Sequence, residues 1–215
     1  MPAPKIKICG LSNAETLEAA IAGRADYAGL NFYPPSPRFV TPGQAAELVA
    51  QASERIQCVG VFVDPSDDQL SETLAAAPLD ALQFHGDEDP ERLAQVRQRF
   101  GLPVWKALPI AGRSDLERAA RFAGAADFAL LDAKTPKGTL PGGMGLSFDW
   151  SLLAGWKAPM PWGLAGGLNP DNVGEAIAAT GAPLVDCSSG VESAPGIKDS
   201  VLIAAFCAAA RGSQH

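Results

Sequence analysis

The feature that most limits how this chain can fold is an alternation that runs from end to end. Short runs rich in Val, Ile, Leu and Phe, at 5–9, 27–32, 58–63, 81–85, 104–108, 128–132, 162–165 and 184–187, are separated by stretches dominated by Ala, Leu, Glu and Arg. Strands that are nearly apolar throughout, each followed by a helix, are parallel strands covered on both faces. Eight such units close most simply into a (β/α)8 barrel, an α/β fold around a closed parallel sheet; a doubly wound open sheet is the alternative. The helices are expected at 14–22, 42–53, 67–76, 90–100, 115–123, 148–154, 170–180 and 198–210. Thr41, Asp89, Ser114 and Asn169 each place a capping oxygen ahead of a first turn, and Gly101, Gly124 and Gly181 supply left-handed stops.

No linker rich in Pro, Gly and Ser divides the 215 residues, so one barrel domain over 1–215 is expected. The net charge of −7 gives a field that repels nucleic acid and anionic membranes. No leader pattern and no long uninterrupted apolar run appears, which points to a cytoplasmic protein. Cys9, Cys58, Cys187 and Cys207 are scattered without the close spacing of a zinc site or a disulfide framework, so neither is expected.

In a barrel of this kind, reactive groups gather where the strands end. The unusual residues fall there: Cys9 ends the first strand, Arg38 follows the second in "YPPSPRFV", His85 ends the fourth in "LQFHGDE" and Asp132 ends the sixth in "FALLDA". Strand alternation puts Cys9 in phase with Lys5 and Lys7, and Asp132 in phase with Phe128 and Leu130, so both face the barrel axis. Each has an ordinary reading when taken singly: a buried thiol, a turn aspartate, a surface cation, a hydrogen-bonded imidazole. The pair of loops "AGGLNPDN" and "SSGVE" is more pointed. Gly166 and Gly167 permit close backbone approach ahead of a capped helix, and Ser189 and Gly190 follow the next strand, which together describe a phosphate cradle.

These segments, with "KICGLSN", "VGVFVD", "LLDAK", "GGMGLSFDW" and "VDCSSGVESAPGIKD", resemble the phosphoribosylanthranilate isomerase family over nearly the whole chain. The resemblance implies a (β/α)8 barrel in tryptophan biosynthesis. It also implies an Amadori rearrangement of N-(5-phosphoribosyl)anthranilate to the 1-deoxyribulose 5-phosphate derivative, without metal or cofactor. Cys9 would then be the general base and Asp132 the general acid. Arg38 and His85 would contact the substrate, and Gly166, Gly167, Ser189 and Gly190 would hold its phosphate. As a base, Cys9 needs a thiol made more acidic by a neighbouring cation, for which Lys7 is placed in phase. As a donor, Asp132 must carry its proton when substrate covers it. The partner expected is a small molecule, with no nucleic acid and no membrane, for a monomer or homodimer. Met144 stands where the family usually shows threonine, and Asn31 where an aliphatic residue is common. The alternatives are the related barrel isomerase of histidine biosynthesis, which uses two aspartates, and a barrel that binds a sugar phosphate without chemistry.

Overall fold

The computed structural model describes residues 3–133 and 147–212. Its strands β1 (Lys5–Cys9), β2 (Tyr27–Asn31), β3 (Gln57–Phe62), β4 (Ala81–Phe84), β5 (Val104–Ile110), β6 (Phe128–Ala133), β7 (Trp162–Leu164) and β8 (Leu184–Cys187) form one closed barrel. Every neighbouring pair is parallel, and β1 closes on β8 with Lys7 opposite Asp186. That last pairing excludes the open sheet, which would leave two edges.

Two apolar layers follow from strand alternation. Ile6, Ile8, Leu30, Phe62, Phe84 and Leu131 point outward into the large core shared with the helices. Burying each such side chain contributes about 1.5–3 kcal/mol, an upper figure because the unfolded chain is itself partly compact. Tyr27, Val59, Ala81, Trp105, Leu130, Ala165 and Leu184, joined by Phe128, fill the barrel interior. Tyr27 meets Trp105 edge-on at 5.0 Å and Trp105 lies 4.6 Å from Phe128. These rings stand at the starts of their strands, so they plug the N-terminal half of the barrel. The polar interior residues are left at the C-terminal half.

The helices α1 (Ala14–Ala22), α2 (Pro42–Ala52), α3 (Asp67–Ala76), α4 (Pro90–Phe100), α5 (Arg113–Arg118), α6 (Val173–Thr180) and α7 (Ser200–Gly212) cover the outside. Thr41 and Asp89 cap as expected, and Gly101 and Gly181 close α4 and α6 in left-handed conformation. Four expectations need correcting. The helix at 115–123 is shorter and starts earlier, because Asp115 reaches back to the N–H groups of Ala111 and Gly112 and Ser114 makes no cap. Its remainder is a 3-10 turn, Ala119–Phe122. The helix at 148–154 is reduced to the 3-10 turn Trp150–Leu153, followed by Pro159 and Pro161. At 170–180 the first three residues form a turn in which Asn169 Oδ1 accepts from Asp171 and Asn172, while Asn172 Nδ2 donates to Gly167 O at 2.9 Å. The last helix begins at Ser200, since Lys198 belongs to a hairpin of β9 (Glu192–Ala194) and β10 (Ile197–Lys198).

None of the described helices is long and apolar enough to cross a membrane.

Candidate active site

At the C-terminal ends of the strands a cavity of about 510 Å3, counting its open mouth, is lined by Cys9, Arg38, His85, Asp132, Gly166, Gly167 and Ser189. All seven were expected there from the sequence. Gly190 does not line the cavity. A Cβ there would collide with the carbonyl oxygen of Leu168, so its role is to let the loops after β7 and β8 pack against each other. Met144 lies outside the described residues.

Asp132 closes β6, is 7% exposed, and has both oxygens engaged. Oδ1 accepts the Ala133 N–H at 2.8 Å and Oδ2 lies 3.1 Å from His85 Nε2. The imidazole is thus held on the carboxyl group from the neighbouring wall, with room beside it on the cavity side. Arg38 is not a surface cation. It is 8% exposed, and its guanidinium grips Glu192 in a fork, Nε to Oε1 at 2.6 Å and Nη2 to Oε2 at 2.8 Å. Lys198 Nζ reaches the same Glu192 at 2.6 Å and also donates to the Ser188 carbonyl at 2.9 Å. Burial works against the Glu192 charge, but Arg38 and Lys198 together hold its carboxyl below the usual range. The β9–β10 hairpin therefore delivers a carboxylate that fixes Arg38 at the rim.

Beneath Cys9, Lys7 is fully buried and pairs with Asp186 at 3.0 Å across the β1–β8 closure. Burial disfavours that ammonium, yet Asp186 and Cys9 around it keep its pKa raised. Lys7 acts on the Cys9 thiol in the expected direction, but the thiol of the protein alone is not made more acidic overall. Burial pushes the Cys9 thiol up, and Lys7 and Lys198 pull it down without offsetting that burial. The cause is depth: Cys9 sits inside the barrel wall, 9% exposed, where a thiolate loses most of its hydration. The other three cysteines are buried, and burial raises Cys58 to about 12 and Cys207 to about 11.

Two polar cavity residues escaped the sequence reading. Asp186 stands in "LVDC" and Gln83 in "ALQF", each a polar residue in an otherwise apolar strand, and that interruption was the available signal. Gln83 is 1% exposed and its Oε1 finds no donor among the described residues. Asn31 accepts the Tyr33 N–H at 2.9 Å through Oδ1 and so turns the chain into the loop that carries Arg38.

Comparison with known proteins agrees with this geometry. The family model described as N-(5'-phosphoribosyl)anthranilate (PRA) isomerase matches residues 6–209. The N-(5'-phosphoribosyl)anthranilate isomerase of Rhodospirillum centenum is 54% identical over 96% of this chain and 98% of its own. That of Paracoccus denitrificans is 54% identical over 97% of each. The crystal structure of the Thermotoga maritima enzyme superposes with a TM-score of 0.87 at 35% identity, covering 97% of this chain and 99% of that one. A further isomerase structure, holding reduced 1-(o-carboxyphenylamino)-1-deoxyribulose 5-phosphate, gives 0.85 at 33% identity with the same coverage. With a barrel, a cavity at the C-terminal strand ends lined by titratable side chains and a family match spanning nearly its full length, the chain belongs to the N-(5'-phosphoribosyl)anthranilate isomerases, the aldose–ketose isomerases of tryptophan biosynthesis.

Proposed function

We propose that this cavity carries out the Amadori rearrangement of N-(5'-phosphoribosyl)anthranilate with Asp132 as the acid and Cys9 as the base. The observation that carries the reading is that a thiol from β1 and a carboxyl from β6 line one cavity, beside the glycine loop after β7 and the Ser189 loop after β8. The substrate's phosphate is seated by the amides of Gly166, Gly167 and Ser189, with Gly190 allowing the two loops to close on it. Arg38, fixed by Glu192, faces the anthranilate end, and His85 holds Asp132 while bordering the pentose.

In the first step the Asp132 carboxylic acid gives its proton to the ring oxygen as the C1–O bond breaks and the nitrogen lone pair forms the C1=N iminium. In the second, the Cys9 thiolate removes the C2 proton, and the C–H electrons form the enolamine as the iminium is neutralised. The enolamine then takes a proton at C1 while the C2 hydroxyl gives one up, leaving the ketone. The raised thiol of the protein alone fits this order of events. The iminium adds a positive charge on the C1=N unit bonded to C2, whose proton the thiolate is there to remove. Each proton-transfer role is worth about 100- to 10,000-fold in rate. The enzyme is proposed to work in the cytoplasm on a small molecule, as a monomer or homodimer.

The test is to mix the purified chain with freshly prepared phosphoribosylanthranilate and follow the loss of its fluorescence with chromatographic identification of the product. Enzyme-dependent conversion to the carboxyphenylamino-deoxyribulose phosphate is expected. Turnover of the histidine-pathway substrate in preference to this one, or binding without turnover, would overturn the reading.

A further inference from the structure

Directly after His85, the segment Gly86-Asp87-Glu88 forms with Lys106 a charged cluster that the chemistry above does not use. Glu88 and Lys106 are 7% and 3% exposed, and neither lines the catalytic cavity. Lys106 is out of phase with Trp105, whose ring fills the barrel interior, so its ammonium leaves β5 on the outer side of the sheet. There Lys106 Nζ donates to Glu88 Oε2 at 2.7 Å and to the Gly86 carbonyl at 2.6 Å. Glu88 in turn accepts the Gly86 N–H at 3.0 Å through Oε2 and the Asp64 N–H at 2.7 Å through Oε1. Asp64 Oδ1 accepts the Asp87 N–H at 2.8 Å, which ties the loops after β3 and β4 together.

Both backbone polar groups of Gly86 are therefore held by one ion pair, and Gly86 directly follows His85. The His85 N–H is fixed on its other side by the Phe62 carbonyl at 2.8 Å, and its imidazole meets Asp132 at 3.1 Å. A buried pair of charges is an expensive way to fill space, since apolar residues of similar volume stabilise a core as well or better. What the charges add is direction, through charge-assisted hydrogen bonds that specify where one peptide unit stands.

We propose that the Glu88–Lys106 pair is a positioning device that sets the His85 imidazole against Asp132 and so aims the acid at the sugar ring. This rests on the role proposed for Asp132, but its primary readout does not depend on turnover. The sequence holds two histidines, His85 and His215, so the imidazole Cε1–Hε1 signal of His85 is one of two, assigned with His85→Gln. In full-length Lys106→Met and Glu88→Gln proteins, each checked for a cooperative melt, the His85 signal is expected to move relative to the wild type. The kcat is expected to fall about 10- to 100-fold, as suits a misplacement of up to about 1 Å, with KM kept within roughly threefold. An unmoved His85 signal, an unchanged kcat, or a loss expressed in KM alone would overturn the proposal. So would unfolding of both variants at room temperature, which would assign the pair to stability. A wild-type protein inert toward phosphoribosylanthranilate would instead refute the function, and the displacement of the His85 signal would still decide the coupling.

Discussion

Replacing Gly166 by alanine separates backbone strain from displacement of the active site. Gly166 has φ +85°, and a Cβ there would lie 2.5 Å from Ala133 N and 3.1 Å from Asp132 Oδ1. Gly124 has nearly the same torsion, φ +86°, with nothing within 4 Å of its would-be Cβ. Both alanine variants carry the left-handed cost of about 1–2 kcal/mol. In a chain of this size that lowers Tm by roughly 2–8 °C. Only Gly166→Ala must also push the loop after β7 away from β6. Real Cβ atoms essentially never approach another atom closer than 3.0 Å, so the wall that carries Asp132 opens by about 0.5 Å or more. Reacting groups lose on the order of 100-fold for a 1 Å misplacement, which makes about tenfold for half that distance. Calorimetry and the fluorescence assay check both quantities. Gly124→Ala is expected to melt lower and keep kcat/KM within about twofold, whereas Gly166→Ala melts at least as low and loses about tenfold in kcat/KM. Equal kcat/KM in the two variants would refute the claim that this close approach sets Asp132.

Cys9→Ala and Asp132→Asn are each expected to lower kcat by at least about 100-fold while KM changes little, and near-normal turnover in either would remove that residue from its role. Lys7→Met combined with Asp186→Asn, which avoids stranding one buried charge, is expected to move the rising limb of kcat/KM toward higher pH, because Lys7, by charge and hydrogen bond, pulls the Cys9 thiol down more than Asp186 pushes it up. An unshifted limb would show that the Lys7–Asp186 pair has no net effect on the base. For Glu192 the folded pKa is depressed, so its contribution to stability is present above the ordinary value of 4.5 and is lost as pH falls through the lower folded value. Differential scanning should find wild type melting above Glu192→Gln at pH 7, with the gap closing below pH 4.5; a gap independent of pH would contradict it. Gln83→Met is expected to raise KM about 3- to 10-fold with kcat kept, the value of one hydrogen bond from a sugar hydroxyl to the Gln83 oxygen, and an unchanged KM would show that no such bond forms.

How far the site was legible depended on whether a residue's role is set by phase or by depth. Phase is local: alternation along β1 and β6 was enough to turn Cys9 and Asp132 inward, and the helix caps at Thr41 and Asp89 could be read from neighbours three residues apart. Depth is not local. Nothing within "KIKIC" says that the thiol lies far enough inside the wall for burial to outweigh two nearby ammonium groups. Nor does "SSGVESAPGIKD" announce a hairpin, since β9 and β10 together span five residues and carry no run of β-branched side chains. The cost of missing it was the reading of Arg38, whose partner Glu192 is 154 positions away. Asp186 and Gln83 were missed because a polar residue inside a short apolar strand reads as an imperfection until the barrel is closed and shows it facing the axis.

The same closure explains why the charges sit where they do. Aromatic rings fill the interior at the strand starts, so no water-lined space remains there to solvate an ion. Charges in the upper half are accordingly paired: Lys7 with Asp186 and Arg38 with Glu192 across segments far apart in sequence, and Lys198 with the same Glu192 across the hairpin. A buried pair holds its partners to one geometry because separating them leaves an uncompensated charge, at a cost of about 3–5 kcal/mol. The site is thus preorganised by bonds that cross the barrel, and the Cys9 thiol lies among these pairs, drawn down by Lys7 and Lys198 but held up by its burial. In the mechanism proposed above, that group takes its proton from a substrate that has just become a cation, so the charge that favours the thiolate would arrive with the step that needs it.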